Sequence, residues 1–96
     1  MIRHIVLFSA KDPAEVPMIR AGLARLQEIP HARRLEVALN EKHDRLSQEI
    51  DVVVYGEFDD LEQLERWKAH PLYQEAIAVV RPRRDLRIAA DYEVPG

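Results

Sequence analysis

"IRHIVLFSA", residues Ile2 to Ala10, is apolar on both sides of an extended chain. Ile2, His4, Val6 and Phe8 share one parity, and Ile5 and Leu7 share the other. "IDVVVYGEF", Ile50 to Phe58, repeats the pattern, with Ile50, Val52, Val54 and Phe58 on one side and Val53 and Tyr55 on the other. Strands apolar on both faces belong at the centre of a sheet. Two further stretches are one-sided. In "RRLEVALN", Arg33 to Asn40, the residues Leu35, Val37 and Leu39 alternate with Arg34, Glu36 and Asn40. In "DLRIAADYEV", Asp85 to Val94, the residues Leu86, Ile88, Ala90 and Tyr92 alternate with Arg87, Asp91 and Glu93. One-sided strands suit the edges, where Asp91 and Glu93 discourage further pairing.

Helical periodicity fills the gaps. Asp12 and Pro13 announce a helix, Pro17 leaves its start ambiguous, and Met18 to Ile29 carries Ile19, Leu23 and Leu26 at helical spacing beside Gly22. Pro30 ends it. "EKHDRLSQE", Glu41 to Glu49, reads as a polar connection. Asp59 and Asp60 offer caps to a helix bearing Leu61, Leu64 and Trp67, which His70-Pro71 interrupts. A further helix follows, with Tyr73, Ile77 and Val80 on one side, and "RPRR", Arg81 to Arg84, closes it. The order is β-α-β-β-α-β over one domain, residues 1–96. With right-handed crossovers this predicts an α+β, ferredoxin-like fold: a four-stranded antiparallel sheet with its helices on one face.

Those helices can bury only one face, and the longer stripes of His4 and Val52 are assigned to them. Ile5, Leu7, Val53 and Tyr55 are then left as an apolar patch on the open face, rimmed by Arg3, Ser9, Asp51 and Glu57. Covering four such side chains is worth several kcal/mol at about 25 cal/mol per Å². A second copy of the same sheet is the economical cover, so a homodimer is expected, a dimeric α/β barrel with those four residues at its interface.

Composition narrows the function. The 96 residues carry a formal net charge of −3, which gives no general attraction to nucleic acid or to an anionic membrane. Cysteine is absent, so thiolate chemistry and disulfides are excluded. No apolar run reaches the ~18 residues of a membrane span, and no leader-like opening is read, so a cytoplasmic location is expected. No histidine pair or acidic cluster has metal-site spacing, and neither metal nor cofactor is implied.

The residues that could carry chemistry lie on the helix-covered side. His4 would serve as a general base near its unperturbed pKa of about 6.5. Tyr73, facing inwards, could hydrogen-bond to it or orient a carbonyl. Proton abstraction next to a carbonyl fits such a pair. Contact with a ligand without chemistry, or a structural His4–Tyr73 hydrogen bond, are the alternatives. Val6, Phe8, Val52, Val54, Trp67 and Ile77 would form apolar walls around a small ligand. Trp67 also reads as plain core. His70 suits an N-cap, and His31 and His43 sit in polar connections. Arg81, Arg83, Arg84 and Arg87 could bind an anionic group such as phosphate or a thioester carrier, although such a run more often caps a solvated helix end.

Three stretches, "MIRHIVLF" at Met1, "W..HPLY" from Trp67 to Tyr73 and "DYEV" from Asp91, resemble the stress-responsive dimeric α/β-barrel (Dabb) family, which includes olivetolic acid cyclase-like proteins. The resemblance spans nearly the whole chain. It implies a dimer whose sheets pack face to face, and a site between sheet and helices in which His4 matches a first-strand histidine of the plant polyketide cyclase. The cyclase's catalytic histidine is matched here by Tyr73, its helping tyrosine by Trp67, and its supporting third-strand histidine by Val52. The cyclase reaction is therefore not carried over. What remains expected is a small apolar carbonyl-type ligand with cofactor-independent lyase, cyclase or isomerase-like proton transfer, or else a stress-linked binding or purely structural dimer.

Overall fold

A computed structural model describes all residues from Met1 to Gly96. Its strands are β1 (Ile2–Ala10), β2 (Arg34–Leu39), β3 (Val52–Phe58) and β4 (Arg84–Glu93), and its α-helices are α1 (Val16–Ala24), α2 (Leu61–Lys68) and α3 (Pro71–Val80). The sheet order is β2-β3-β1-β4, antiparallel throughout, so the two-sided strands are central and the one-sided strands are edges. This is the α+β, ferredoxin-like arrangement. No helix is long and apolar enough to cross a membrane.

Proline and short polar side chains set the helix boundaries. Asp12 caps a short 3₁₀ turn at Pro13–Glu15, and Pro17 lies in the first turn of α1, where its missing N–H costs nothing. The last turn of that helix tightens into 3₁₀ geometry at Arg25–Glu28, so the expected helix to Ile29 is shorter as an α-helix. Asp60 accepts from the Gln63 backbone N–H at 2.9 Å. His70 caps α3, its Nδ1 accepting from the Leu72 N–H at 3.1 Å.

The helices cover the face of β1 and β3 that bears His4, Val6, Phe8, Val52, Val54 and Phe58, all buried. Ile19, Val52, Phe58 and Trp67 have no exposed surface. Gly56, directly across from His4, leaves room for the Phe58 ring: a Cβ there would lie 2.8 Å from Phe58 Cε2.

Pairing register decides what the edges show. In β2, Leu35, Val37 and Leu39 pair with Gly56, Val54 and Val52, so its apolar side faces the helices. In β4 the apolar side faces the opposite way, because Ile88 pairs with Leu7, Ala90 with Ile5 and Tyr92 with Arg3. The open-face patch is thus wider than its four expected residues. Ile88 is 53% exposed and Tyr92 40%, beside half-buried Ile5, Leu7, Val53 and Tyr55. The expected rim also changes. Ser9 is not a solvated rim residue but is buried where the β1–β4 register shifts, its hydroxyl accepting from the Leu86 N–H at 2.9 Å. Arg3 and Tyr92 form a cation–π contact at 5.9 Å, and the Tyr55 hydroxyl donates to Glu57 at 2.6 Å.

Candidate active site

The polar parity of β4 faces the helices. Asp91 pairs in register with His4, and the Asp91 carboxylate is hydrogen-bonded to His4 Nδ1. An ionised carboxylate can only accept, so Nδ1 carries the hydrogen and the Nε2 lone pair is left free. His4 is buried while the Asp91 side chain keeps a third of its surface in solvent. Burial pushes the imidazole below its ordinary value of 6.5. Asp91 pulls it back up in part, and the positive charges of Lys68 and Arg87 add to the lowering. The ring is therefore a neutral base at physiological pH.

Around this histidine lies an aromatic cluster. Trp67 stands edge-on to His4 at 5.8 Å between ring centres, Phe58 is edge-on to both, and Tyr73 is edge-on to Trp67 at 5.2 Å. The Trp67 indole N–H is buried and has no acceptor within the chain. An unsatisfied buried donor costs about 1–3 kcal/mol, so it marks a place where a partner is missing.

His4, Trp67 and Tyr73 border a cavity of about 240 Å³ between the sheet and the helices, walled mainly by apolar side chains. His4, Tyr73, Val6, Phe8, Val54, Trp67 and Ile77 all line it. Val52 does not; it is packed in the core, so the apolar wall expected there is supplied instead by α1 and α3 residues such as Leu23, Ala76 and Val80. The His4–Tyr73 hydrogen bond that stood as an alternative is not formed; the side-chain partner of His4 is Asp91. Asp91 was the residue missed. Its signal was the alternation of β4: once Ile88 and Tyr92 face outwards, Asp91 must face His4. Three of the four arginines, Arg81, Arg84 and Arg87, also line the cavity, whereas Arg83 pairs with Glu15 at 2.8 Å.

The geometry defines a class: a small ferredoxin-like domain with a carboxylate-bound histidine lining an apolar chamber and an uncovered greasy sheet face. The chain belongs to the stress responsive A/B barrel domain family, whose profile matches residues 2–94. No curated protein matches the sequence significantly. Among solved structures it is similar to a dimeric ferredoxin-like protein of unknown function from Bacteroides fragilis (25% identity, 96% of this chain and 94% of that one, TM-score 0.77). A dimeric ferredoxin-like protein from Thermobifida fusca shares 24% identity over 97% of this chain and 90% of its own, with TM-score 0.82. The hydroxynitrile lyase of Passiflora edulis shares the fold at 17% identity (95% and 90% covered, TM-score 0.76).

Proposed function

We propose that this protein is a homodimer that binds a small apolar carbonyl compound beneath its helices and moves a proton at the carbon next to the carbonyl. The observation that carries the chemistry is His4 in the cavity wall, hydrogen-bonded through Nδ1 to Asp91 behind it. His4 Nε2 takes the α-proton, the C–H electron pair becomes the C=C bond of an enolate, and the carbonyl π electrons move onto oxygen. Asp91 stabilises the imidazolium that results. The unpaired Trp67 indole N–H is the donor suited to the developing oxyanion, and the Tyr73 ring that stands edge-on to Trp67 also lines the cavity. In a β,γ-unsaturated ketone, return of the proton to the γ-carbon of the dienolate gives isomerisation; attack of the enolate on a second carbonyl, whose alkoxide takes the proton back from the imidazolium, gives an aldol-type closure. One protein of this fold is a hydroxynitrile lyase, so the architecture hosts lyase chemistry elsewhere.

The dimer rests on the open apolar face and on relatives that are dimeric. Both parts of the proposal are testable. Methyl hexyl ketone incubated with the protein in deuterium oxide is expected to exchange its α-hydrogens, followed by proton NMR. His4→Ala is expected to slow that exchange by roughly a hundredfold or more, the scale of a general base. Trp67→Phe, which keeps the wall but removes the donor, should lower the exchange rate more than it lowers ketone affinity. Unchanged exchange in His4→Ala contradicts the mechanism, and ketone binding with no exchange reduces the protein to a binding module.

A further inference from the structure

Most arginines elsewhere in the chain are engaged, Arg3 by the hydroxyl and ring of Tyr92. Arg25, Arg33, Arg34, Arg66 and Arg83 each stand beside a carboxylate. Arg81, Arg84 and Arg87 have no such partner, yet all three line the same mainly apolar cavity as His4. Arg20 and Arg45 are also unpaired but lie outside it. Capping of α3 does not explain the trio, because Arg83 fills that role: its Nη1 donates to the Val79 carbonyl at 2.7 Å.

The three converge from two elements. Arg81 is the C-cap of α3, while Arg84 and Arg87 come from the first turn of pairing in β4, opposite Ala10 and Phe8. Arg87 and Asp91 lie on one face of β4, four residues apart, or about 13 Å at roughly 3.3 Å per residue. The base and the unneutralised guanidinium of Arg87 thus enter the chamber from backbone levels about 13 Å apart, those of His4 and Phe8, with Val6 of the apolar wall between.

We propose that Arg81, Arg84 and Arg87 form an anion subsite, so that the ligand is an amphiphilic carbonyl compound with an oxyanion, a carboxylate or phosphoryl group, at the end remote from the reacting carbon. This deepens the carbonyl-binding proposal above and rests on it. Guanidinium forks hold such groups by paired, charge-assisted hydrogen bonds, which an ammonium does not reproduce. The apolar wall between suits the ligand's alkyl chain, and the arginines fix its orientation.

Trp67 is the only tryptophan and lines the cavity, so its fluorescence reports occupancy. Two ligands are titrated: methyl hexyl ketone, and the keto acid in which the far methyl of the hexyl chain is a carboxylate. The keto acid is expected to bind about tenfold or more tightly, with an affinity that falls as salt rises. Arg84→Gln and Arg87→Gln, checked for unchanged thermal unfolding, are expected to erase that preference while leaving ketone affinity within about twofold. Inorganic phosphate that displaces the keto acid but not the ketone extends the subsite to phosphoryl groups; phosphate without effect confines it to carboxylates. Equal affinity for ketone and keto acid, or a preference that survives both substitutions, overturns the subsite while leaving the carbonyl site intact. Failure of both ligands to bind overturns the two together.

Discussion

Replacing Ile88 with aspartate tests the proposal that a second copy covers the open sheet face. Ile88 sits on β4 beside Leu7, and 53% of its surface is exposed in the single chain. Complete burial of an isoleucine is worth about 1.5–3 kcal/mol, so covering the exposed half contributes roughly 0.8–1.5 kcal/mol. A two-fold axis uses the position twice, which raises the loss to about 1.5–3 kcal/mol per dimer. At about 1.4 kcal/mol per tenfold, that alone weakens association by roughly 10–150-fold. The buried carboxylates add a desolvation cost on top. Because Ile88 lies outside the core cluster, each chain is expected to stay folded. Sedimentation equilibrium across the micromolar range measures the effect: wild type should be dimeric and Ile88→Asp largely monomeric, with equal circular dichroism. Equal dissociation constants for the two proteins, or a monomeric wild type at those concentrations, refute the argument.

Three other outcomes follow from the site and its packing. Asp91→Asn removes the charge that favours the imidazolium, so the acid limb of α-exchange should move further below 6.5, and the plateau rate should fall by roughly 10–100-fold for a lost charge-assisted hydrogen bond of about 1.5–3 kcal/mol. Stability should also depend on pH with a definite sign. The His4 pKa is lower in the folded chain than its unfolded value of 6.5, so the unfolded state binds more protons between the two values; stability is complete above 6.5 and declines as pH falls through the folded value, as urea unfolding at about pH 8 and about pH 5 will show, with the slope reduced in His4→Gln. Gly56→Ala places a Cβ 2.8 Å from Phe58 Cε2 and 3.1 Å from Leu35 Cδ1. Overpacking of about 1–3 kcal/mol should lower Tm by at least several degrees, measured by calorimetry.

Element order, the central position of β1 and β3, and the face that meets the helices were all legible, because they depend on parity and on Asp and Pro punctuation. Ile2, Val6, Phe8, Val52 and Val54 are buried as their alternation requires. The side chosen by β4 was not legible in the same way. Its polar parity, Arg87 and Asp91, looks like an ordinary solvated edge until pairing places it against Phe8 and His4. Register is a property of two strands together, and the bulge near Ser9 is invisible in either alone. The fate of Arg81, Arg84 and Arg87 was hidden for a related reason. Whether a basic run is solvated or lines a chamber depends on where a helix end meets a strand start, and "RPRR" has the same letters in both cases.

The imidazole of His4 offers the sharpest single check. Long-range proton–nitrogen NMR correlation of its ring across a pH titration should show a neutral ring with the hydrogen on Nδ1, titrating below 6.5. A ring with its hydrogen on Nε2, or one that stays protonated above that value, would contradict a free basic nitrogen held ready in the chamber by Asp91.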